Sequence, residues 1–233
     1  YNIAKIYNIR IIEDASEALG TEFKGKKIGS TGADITTYSF NPHLKGNVCN
    51  GGMMVTDDVD LLERAQLLRN HAMVTSDDSL SYVYDVVDIG SKYDMSELDA
   101  AYILGQLSKQ DAVIKRQQAI AARYCEKLKD TPHISLPKVE KDHTFSLFII
   151  KVKKNRDSFA RELLDKGIET GLHYIPLHLL TYYKSKYSLR VNDFPMALRS
   201  FQQVLSIPIY ADMSDADVDY VCDTIINITK RWV

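Results

Sequence analysis

Residues 34–40 read Asp-Ile-Thr-Thr-Tyr-Ser-Phe, and residues 51–56 read Gly-Gly-Met-Met-Val-Thr. The first stretch is rich in β-branched and aromatic residues, which favour strands, and the second is an apolar run entered through two glycines. Asp57 and Asp58 come next, and apolar residues then recur at the spacing of a helix. Strands that alternate with helical patterns are typical of an α/β fold with a largely parallel sheet. We therefore expect that fold class here.

Upstream of these strands, residues 1–13 predict the end of a helix followed by a strand. Downstream, a helical pattern runs from Ser96, an expected N-cap, to about Leu128. The apolar face of this long helix is expected to contain Leu98, Ala101, Ile103, Leu104 and Leu107. Two prolines then interrupt the chain. They predict a boundary between a large domain at 1–130, which includes the long connecting helix, and a smaller C-terminal domain at 131–233.

The smaller domain is expected to be a layer of α+β structure. Its pattern predicts a strand over Phe145–Val152 and a helix over Ser158–Lys166. A second strand is expected from Gly167 through Tyr174, and Leu205–Tyr210 reads as a short extended segment. A final helix, capped by Ser214, is expected to reach about Arg231.

Composition excludes several classes of protein. The 233 residues are 45% hydrophobic and 26% charged, as in an average globular domain, and 29 basic against 31 acidic residues give a net charge of −2. No strong field favours nucleic acid or an acidic membrane surface as a partner, and no apolar run is long enough to span a membrane. Three scattered cysteines in no metal-like spacing favour a reducing, cytoplasmic setting.

Three features that can carry chemistry follow one another between residues 11 and 58. Asp14 comes directly after a short apolar strand, at the sheet edge where open α/β sheets bind ligands, so its carboxylate can pair with a cationic ring nitrogen or merely cap a turn. Ser39 ends the next strand and can donate to a phosphate. Lys45 follows within a few residues and can form a Schiff base, although most lysines are solvated surface groups. The glycine pair at 51–52 permits a close backbone approach or an ordinary tight turn.

Taken together, these segments resemble the DegT/DnrJ/StrS-type sugar-nucleotide aminotransferases, which use pyridoxal 5'-phosphate (PLP) and have the aspartate aminotransferase fold type I. The resemblance includes a Lys-Gly-x-x-x-Gly hairpin at 24–29. It continues through Arg-Asn-His at 69–71, Gly-Ser-Lys-Tyr-Asp-Met at 90–95, His-Tyr-Ile-Pro-Leu-His at 173–178 and Leu-Ser-Ile-Pro-Ile-Tyr at 205–210. It implies a PLP-binding large domain that lacks its N-terminal part, so we expect an exposed sheet edge and exposed core surface.

The resemblance assigns roles to particular residues. Asp14 matches the carboxylate that pairs with the pyridine nitrogen of PLP, and Ser39 matches the residue that hydrogen-bonds the phosphate. Glu17 falls where many relatives carry His or Gln near the ring. Lys92 and Asp94 match, loosely, a turn that reaches the partner subunit's active site, and His178 is a substrate-side candidate.

The Schiff-base lysine is out of register. Relatives carry it five residues after the serine, where this chain has Leu44, and Lys45 lies one position further on. Three interpretations are open. Lys45 forms the Schiff base after a local adjustment of the loop, position 44 is a wrongly transcribed lysine, or the site has lost its lysine. A dehydratase branch of the family carries histidine there, and His43 is adjacent but also out of register.

The resemblance implies an aminotransferase that moves an amino group from an amino acid, with glutamate the expected donor, to a keto-deoxysugar nucleotide. One alternative is a ketosugar-nucleotide 3-dehydratase that uses PLP or its amine form, pyridoxamine phosphate (PMP). The other is a catalytically silent regulatory relative. A homodimer with sites shared across the interface is expected, and the activity of so short a chain stays open.

Overall fold

A computed structural model describes residues 1–40, 50–75, 82–138 and 142–232. Its chain divides into two compact units, Tyr1–Asp111 and Ala112–Val233. Within the described ranges, the helices of eight or more residues are α2 (Val59–Arg69), α3 (Glu97–Leu107), α4 (Gln110–Leu128), α5 (Arg156–Asp165), α7 (Pro195–Gln203) and α8 (Asp215–Lys230), and the shorter ones are α1 (Asn2–Tyr7), α6 (Thr181–Lys186) and a 3₁₀ turn (Leu177–Leu179).

The strands in those ranges form four sheets. They are β1 (Ile12–Asp14), β2 (Glu22–Phe23), β3 (Lys26–Lys27), β4 (Ile35–Ser39), β5 (Gly52–Val55), β6 (Met73–Thr75), β7 (Tyr84–Val86), β8 (Ile134–Ser135), β9 (Phe148–Val152) and β10 (Val204–Ile207). In the first unit the order is β1-β4-β5, with β1 parallel and β5 antiparallel to β4, and two hairpins, β2-β3 and β6-β7, accompany it. The α/β class expected from the sequence is confirmed.

The second unit is built on an antiparallel sheet in the order β10-β9-β8. Apolar residues of α4, β9, α5 and α8 pack together into its core, among them Tyr124, Phe148, Phe159 and Ile225. Tyr124 also donates a hydrogen bond from its hydroxyl to the carbonyl of Pro208, at 2.7 Å. An aromatic ring whose polar tip finds a partner combines large apolar burial with a satisfied donor.

The division between the units lies earlier than the boundary expected after residue 130. The buried residues of α4 explain the difference, since Ile120, Ala121 and Leu128 belong to the core of the second unit. The assignment of this helix to the large domain stays a prediction.

The expected long helix is two helices. It breaks after α3, where the Ser108 hydroxyl donates to the Gly105 carbonyl at 2.8 Å and the Lys109 amide donates to Gln106 at 3.0 Å. Serine side chains compete with backbone amides for the carbonyl groups of a helix. Hydrogen bonds between residues three positions apart also tighten its last turn. Only part of the expected apolar face is buried. Ile103 is 4% exposed, whereas Leu98 and Leu104 are 85% and 70% exposed.

The second strand expected from Gly167 through Tyr174 is not formed. Only Gly171 pairs, in a single antiparallel bridge to Ser206. The His173 imidazole lies over Gly171 and shares a 2.8 Å hydrogen bond with the Ser206 hydroxyl, and a Cβ on Gly171 would approach its ring to 2.7 Å. The structure therefore has one bridge where a strand was expected.

Candidate functional site

The parallel pair β1-β4 brings two predicted site residues to one edge of the sheet. Asp14 is the last residue of β1 and lies opposite Thr37, while Ser39 is the last residue of β4. Because side chains alternate between the faces of a sheet, Asp14, Thr37 and Ser39 share one face. A carboxylate and a hydroxyl therefore stand on the same side at the carboxyl ends of adjacent parallel strands, where open α/β sheets bind their ligands.

The chain after β1 fixes the Asp14 side chain. The Ala15 amide donates to the Thr37 carbonyl at 2.8 Å, which extends the pairing of β1 with β4 by one bond. The Asp14 Oδ1 atom accepts from both the amide of Ser16, at 3.0 Å, and its hydroxyl, at 2.5 Å. These two hydrogen bonds, the hydroxyl's first, hold the pKa of the exposed Asp14 carboxyl below its ordinary value.

The glycine pair 51–52 lets β5 begin close to the end of β4. Gly52 pairs with Ser39, and a Cβ on Gly52 would lie 3.0 Å from the Tyr38 carbonyl oxygen. The Phe40 amide donates to the Gly51 carbonyl at 2.9 Å, and the buried Phe40 ring packs with Ile103. The two glycines therefore bring the backbone of β5 close to that of β4, and a close approach to a ligand stays a prediction.

The hairpin at residues 22–29 lies against β4, the strand that carries Tyr38. Lys24 and Gly25 both have positive φ values, 53° and 75°, as a tight two-residue hairpin turn requires. Its last glycine, Gly29, leaves room for the Tyr38 hydroxyl, which donates to the Ile28 carbonyl at 2.5 Å. Partial burial raises the pKa of Tyr38, and the Glu13 charge adds to this effect.

Two motifs that are 20 residues apart in the sequence run side by side in the structure. The Ser91 amide donates to the Leu68 carbonyl and the Tyr93 amide to the Arg69 carbonyl, both at 2.9 Å. Lys92 extends from this segment and forms an exposed 3.7 Å ion pair with Asp94. The two predicted cross-subunit residues thus contact each other at the surface of the first unit.

The other candidates are placed as follows. Glu17 lies exposed in the turn after β1. His178 belongs to the second unit and is 5% exposed, and its Nε2 lies 3.3 Å from the Val191 carbonyl oxygen. Lys45, with Leu44 and His43, lies outside the described residues.

The sequence analysis gave no role to Ser16, although this residue follows the candidate Asp14 by two positions. The available signal was its position two residues after an aspartate that ends a strand. At that spacing the amide and hydroxyl of a serine can both reach the carboxylate.

The described residues fit the group that the resemblance implies. An anionic carboxylate suits a protonated pyridine nitrogen, and a hydroxyl on the same face suits a phosphate. Among the described residues, no group of three or more His, Cys, Asp or Glu side chains could hold a metal ion, and no helix is both long and apolar enough to cross a membrane.

Known proteins resemble this chain along nearly its whole length. It is 32% identical to the spore coat polysaccharide biosynthesis protein SpsC of Bacillus subtilis (strain 168) across 98% of the chain and 62% of SpsC. It is also similar to the structure of Spr1654 from Streptococcus pneumoniae in its PMP form, with 27% identity and a TM-score of 0.88, over 99% of the chain and 62% of that structure. S. venezuelae DesV, solved with a ketimine intermediate, gives 29% identity and a TM-score of 0.86 over 99% of the chain and 60% of DesV.

The chain therefore spans about three fifths of the length of the relatives that it matches. The family model for the DegT/DnrJ/EryC1/StrS aminotransferases matches residues 1–226. On that match, the protein belongs to the DegT/DnrJ/EryC1/StrS aminotransferase family.

Proposed function

We propose that the protein is a PLP-dependent aminotransferase that transfers an amino group from an amino acid to a keto-deoxysugar nucleotide. The observation that carries this proposal is the placement of Asp14 and Ser39 on one face, at the carboxyl ends of two parallel strands. Family membership and the PMP form of Spr1654 support the cofactor. The name of SpsC, which refers to polysaccharide biosynthesis, supports a sugar substrate.

Asp14 and Ser39 would bind opposite ends of the cofactor. The Asp14 carboxylate, whose pKa the Ser16 hydrogen bonds hold below its ordinary value, would pair with the pyridine nitrogen. The Ser39 hydroxyl would donate to the phosphate. When bound, PLP supplies an electron sink for the negative charge that develops when a proton leaves the amino-acid carbon.

A lysine amine is needed to attach the cofactor and to move that proton. We propose Lys45 for both tasks, with its Nζ atom as the base. Glu17 would lie beside the cofactor ring. Lys92 and Asp94 would act at the partner subunit's site in a homodimer, and His178 would act on the substrate side.

Glutamate is the proposed donor and the cytoplasm the proposed compartment. Cys125 and Cys222, two of the three cysteines, are free thiols, which fits a reducing setting. A homodimer is also proposed, in which a partner would cover the exposed side chains of Leu98 and Leu104.

A ketosugar-nucleotide 3-dehydratase is the second candidate, and Leu44 is the observation that favours it. Leucine stands where relatives carry the attaching lysine, and it has no amine. The two functions differ in their products: the aminotransferase yields an aminosugar, whereas the dehydratase removes the 3-hydroxyl with no net transfer of nitrogen.

The test is to add PLP to the full chain, reduce with borohydride and map the labelled peptide. We expect visible absorbance, a label on Lys45, and loss of the absorbance when glutamate alone is added. The variant Asp14→Ala should bind PLP at least about tenfold more weakly, since it loses a charge-assisted contact. A wild-type chain that binds no PLP would refute the proposal, and a labelled peptide without Lys45 would refute the role of that residue.

A further inference from the structure

Ser16 places two hydrogen-bond donors on one atom of the proposed cofactor ligand. Its amide and its hydroxyl both reach Asp14 Oδ1, at 3.0 and 2.5 Å. The second oxygen, Oδ2, lies in the same plane as Oδ1, so fixing one oxygen limits the directions in which the other can point. The two bonds therefore orient the carboxylate.

The backbone around Ser16 is itself held to the sheet. The preceding amide, that of Ala15, donates to Thr37 of β4, and Ala15 is buried. The Ala18 amide then donates back to the Ala15 carbonyl at 2.9 Å, which closes the turn that carries Ser16. Ser16 is thus fixed relative to the sheet edge, and its hydrogen bonds can hold the Asp14 carboxylate in one orientation relative to that edge.

Hydrogen bonds from the Ser16 donors also favour the charged form of the carboxyl group. They act on an exposed side chain, where the lowered pKa of Asp14 is caused first by the hydroxyl and second by the amide. The hydrogen bond from the residue 16 amide is retained in any substitution except proline. The hydrogen bond from the hydroxyl depends on which side chain stands at residue 16. The side chain is therefore the adjustable part of this arrangement.

We propose that Ser16 is a positioning residue that directs the free Oδ2 atom of Asp14 toward the pyridine nitrogen of PLP. The proposal rests on the proposed function, because it assumes that PLP is the group bound. Ser16 touches neither the cofactor nor the substrate in this role; it acts through Asp14.

The first experiment needs no cofactor. The full chain is labelled with ¹³C at aspartate carboxyl groups, and the Asp14 resonance, assigned by its absence in Asp14→Asn, is followed against pH. We expect the Asp14 pKa to rise in Ser16→Ala and to stay near the wild-type value in Ser16→Thr, which retains a hydroxyl. The matched control is Ser30→Ala, which removes another serine hydroxyl of the same unit, one that donates to the Lys27 carbonyl at 2.7 Å.

The second experiment uses PLP labelled with ¹⁵N in the ring, bound to the wild type and to Ser16→Ala, Ser16→Thr and Ser30→Ala. In Ser16→Ala the ring nitrogen should lose its proton at lower pH, and PLP should bind about three- to tenfold more weakly, since one hydrogen bond to Asp14 is lost. Ser16→Thr and Ser30→Ala should match the wild type in both measurements.

The outcomes separate the two proposals. A shifted Asp14 pKa together with an earlier-titrating ring nitrogen in Ser16→Ala supports the positioning role. If the ring nitrogen loses its proton at the same pH in Ser16→Ala as in the wild type, the positioning role is overturned, even where the Asp14 pKa changes. Ser16 is then only a residue of the turn. A wild-type chain that fails to bind PLP refutes the proposed function and the direction of Oδ2 with it, whatever the carboxyl titration shows.

Discussion

Gly90 occupies a position where the backbone of another segment leaves no room for a side chain. A Cβ there would lie 2.3 Å from the Ala72 amide nitrogen and 2.5 Å from the His71 carbonyl carbon. His71 and Ala72 both have positive φ values, 58° and 52°, so this neighbouring backbone is already in an uncommon conformation. Backbone atoms cannot move aside as the end of a flexible side chain can.

Gly90→Ala is therefore expected to destabilise the first unit by about 1–3 kcal/mol, the usual cost of overpacking. The amides of Ser91 and Tyr93, which bond to the neighbouring segment, should exchange with solvent faster, as measured by NMR. Gly105→Ala is the control, because a Cβ there meets nothing within 4 Å and alanine favours the helix. Unchanged exchange in Gly90→Ala would contradict the close contact.

The sequence predicted that Asp14 and Ser39 lie at strand ends, and the structure places them there, but their surroundings could not be predicted. Both positions were recognisable because each residue ends a stretch with a strand-like sequence, which is a local pattern. The contacts between residues 68–72 and 90–93 were not, since they depend on how two distant segments fold together. The same holds for His178, whose burial follows from packing near Phe194.

Helices α4 and α8 are joined by a group of ion pairs centred on Asp219. The Arg123 guanidinium binds this carboxylate through two nitrogens, at 2.6 and 2.7 Å, and the Lys127 ammonium lies 2.8 Å away. Hydrogen bonds from Arg123 and then from Lys127 hold the pKa of Asp219 far below its ordinary value. A carboxyl with a depressed folded-state pKa stabilises the protein fully above its unfolded pKa, and this contribution is lost as pH falls.

We therefore expect Asp219→Asn to flatten the pH dependence of the second unit's stability below about pH 4, the ordinary range of an aspartate. Wild-type protein should lose more free energy of unfolding than the variant as the pH is lowered through this range. Urea unfolding followed by the fluorescence of Trp232, the only tryptophan, measures this, because Trp232 packs against the second unit's core. Asp212→Asn, an exposed change outside the ion pairs, serves as the control. Equal slopes for Asp219→Asn and wild type would contradict the expectation.

Two helix starts were predicted correctly from the sequence, whereas two other starts and some strands were not. Ser96 and Ser214 cap α3 and α8 as expected, each accepting from the amide three residues on, because a cap is a contact within a few residues. The break at Ser108 was missed because the apolar pattern continues across it. The strand expected after Gly167 was wrong, because strand formation there depends on pairing with a segment that is distant in the sequence, and only Gly171 pairs.

The two units differ in how much apolar surface they bury. The second has a contiguous core drawn from most of its long elements, whereas the buried cluster described in the first centres on Phe40 and Ile103. Burial of apolar area is the main favourable contribution to folding. The second unit should therefore open less often than the first.

Hydrogen exchange measured by mass spectrometry on the full chain tests this expectation. Amides of β9 and α8 should exchange more slowly than those of β4 and α3, since exchange from a core strand or helix requires opening of the structure around it. Uniform protection across both units would show instead that they unfold as one.

The position of β1 at one end of its sheet affects how readily the protein aggregates at high concentration. It is at one end of the β1-β4-β5 order, and Ile12 on it is 71% exposed. A strand at the end of a sheet offers a row of backbone donors and acceptors to any extended polypeptide, and an apolar side chain beside that row strengthens the attachment. Concentrated samples are therefore expected to lose protein by strand-to-strand aggregation nucleated at β1, and a lysine in place of Ile12 should slow that loss.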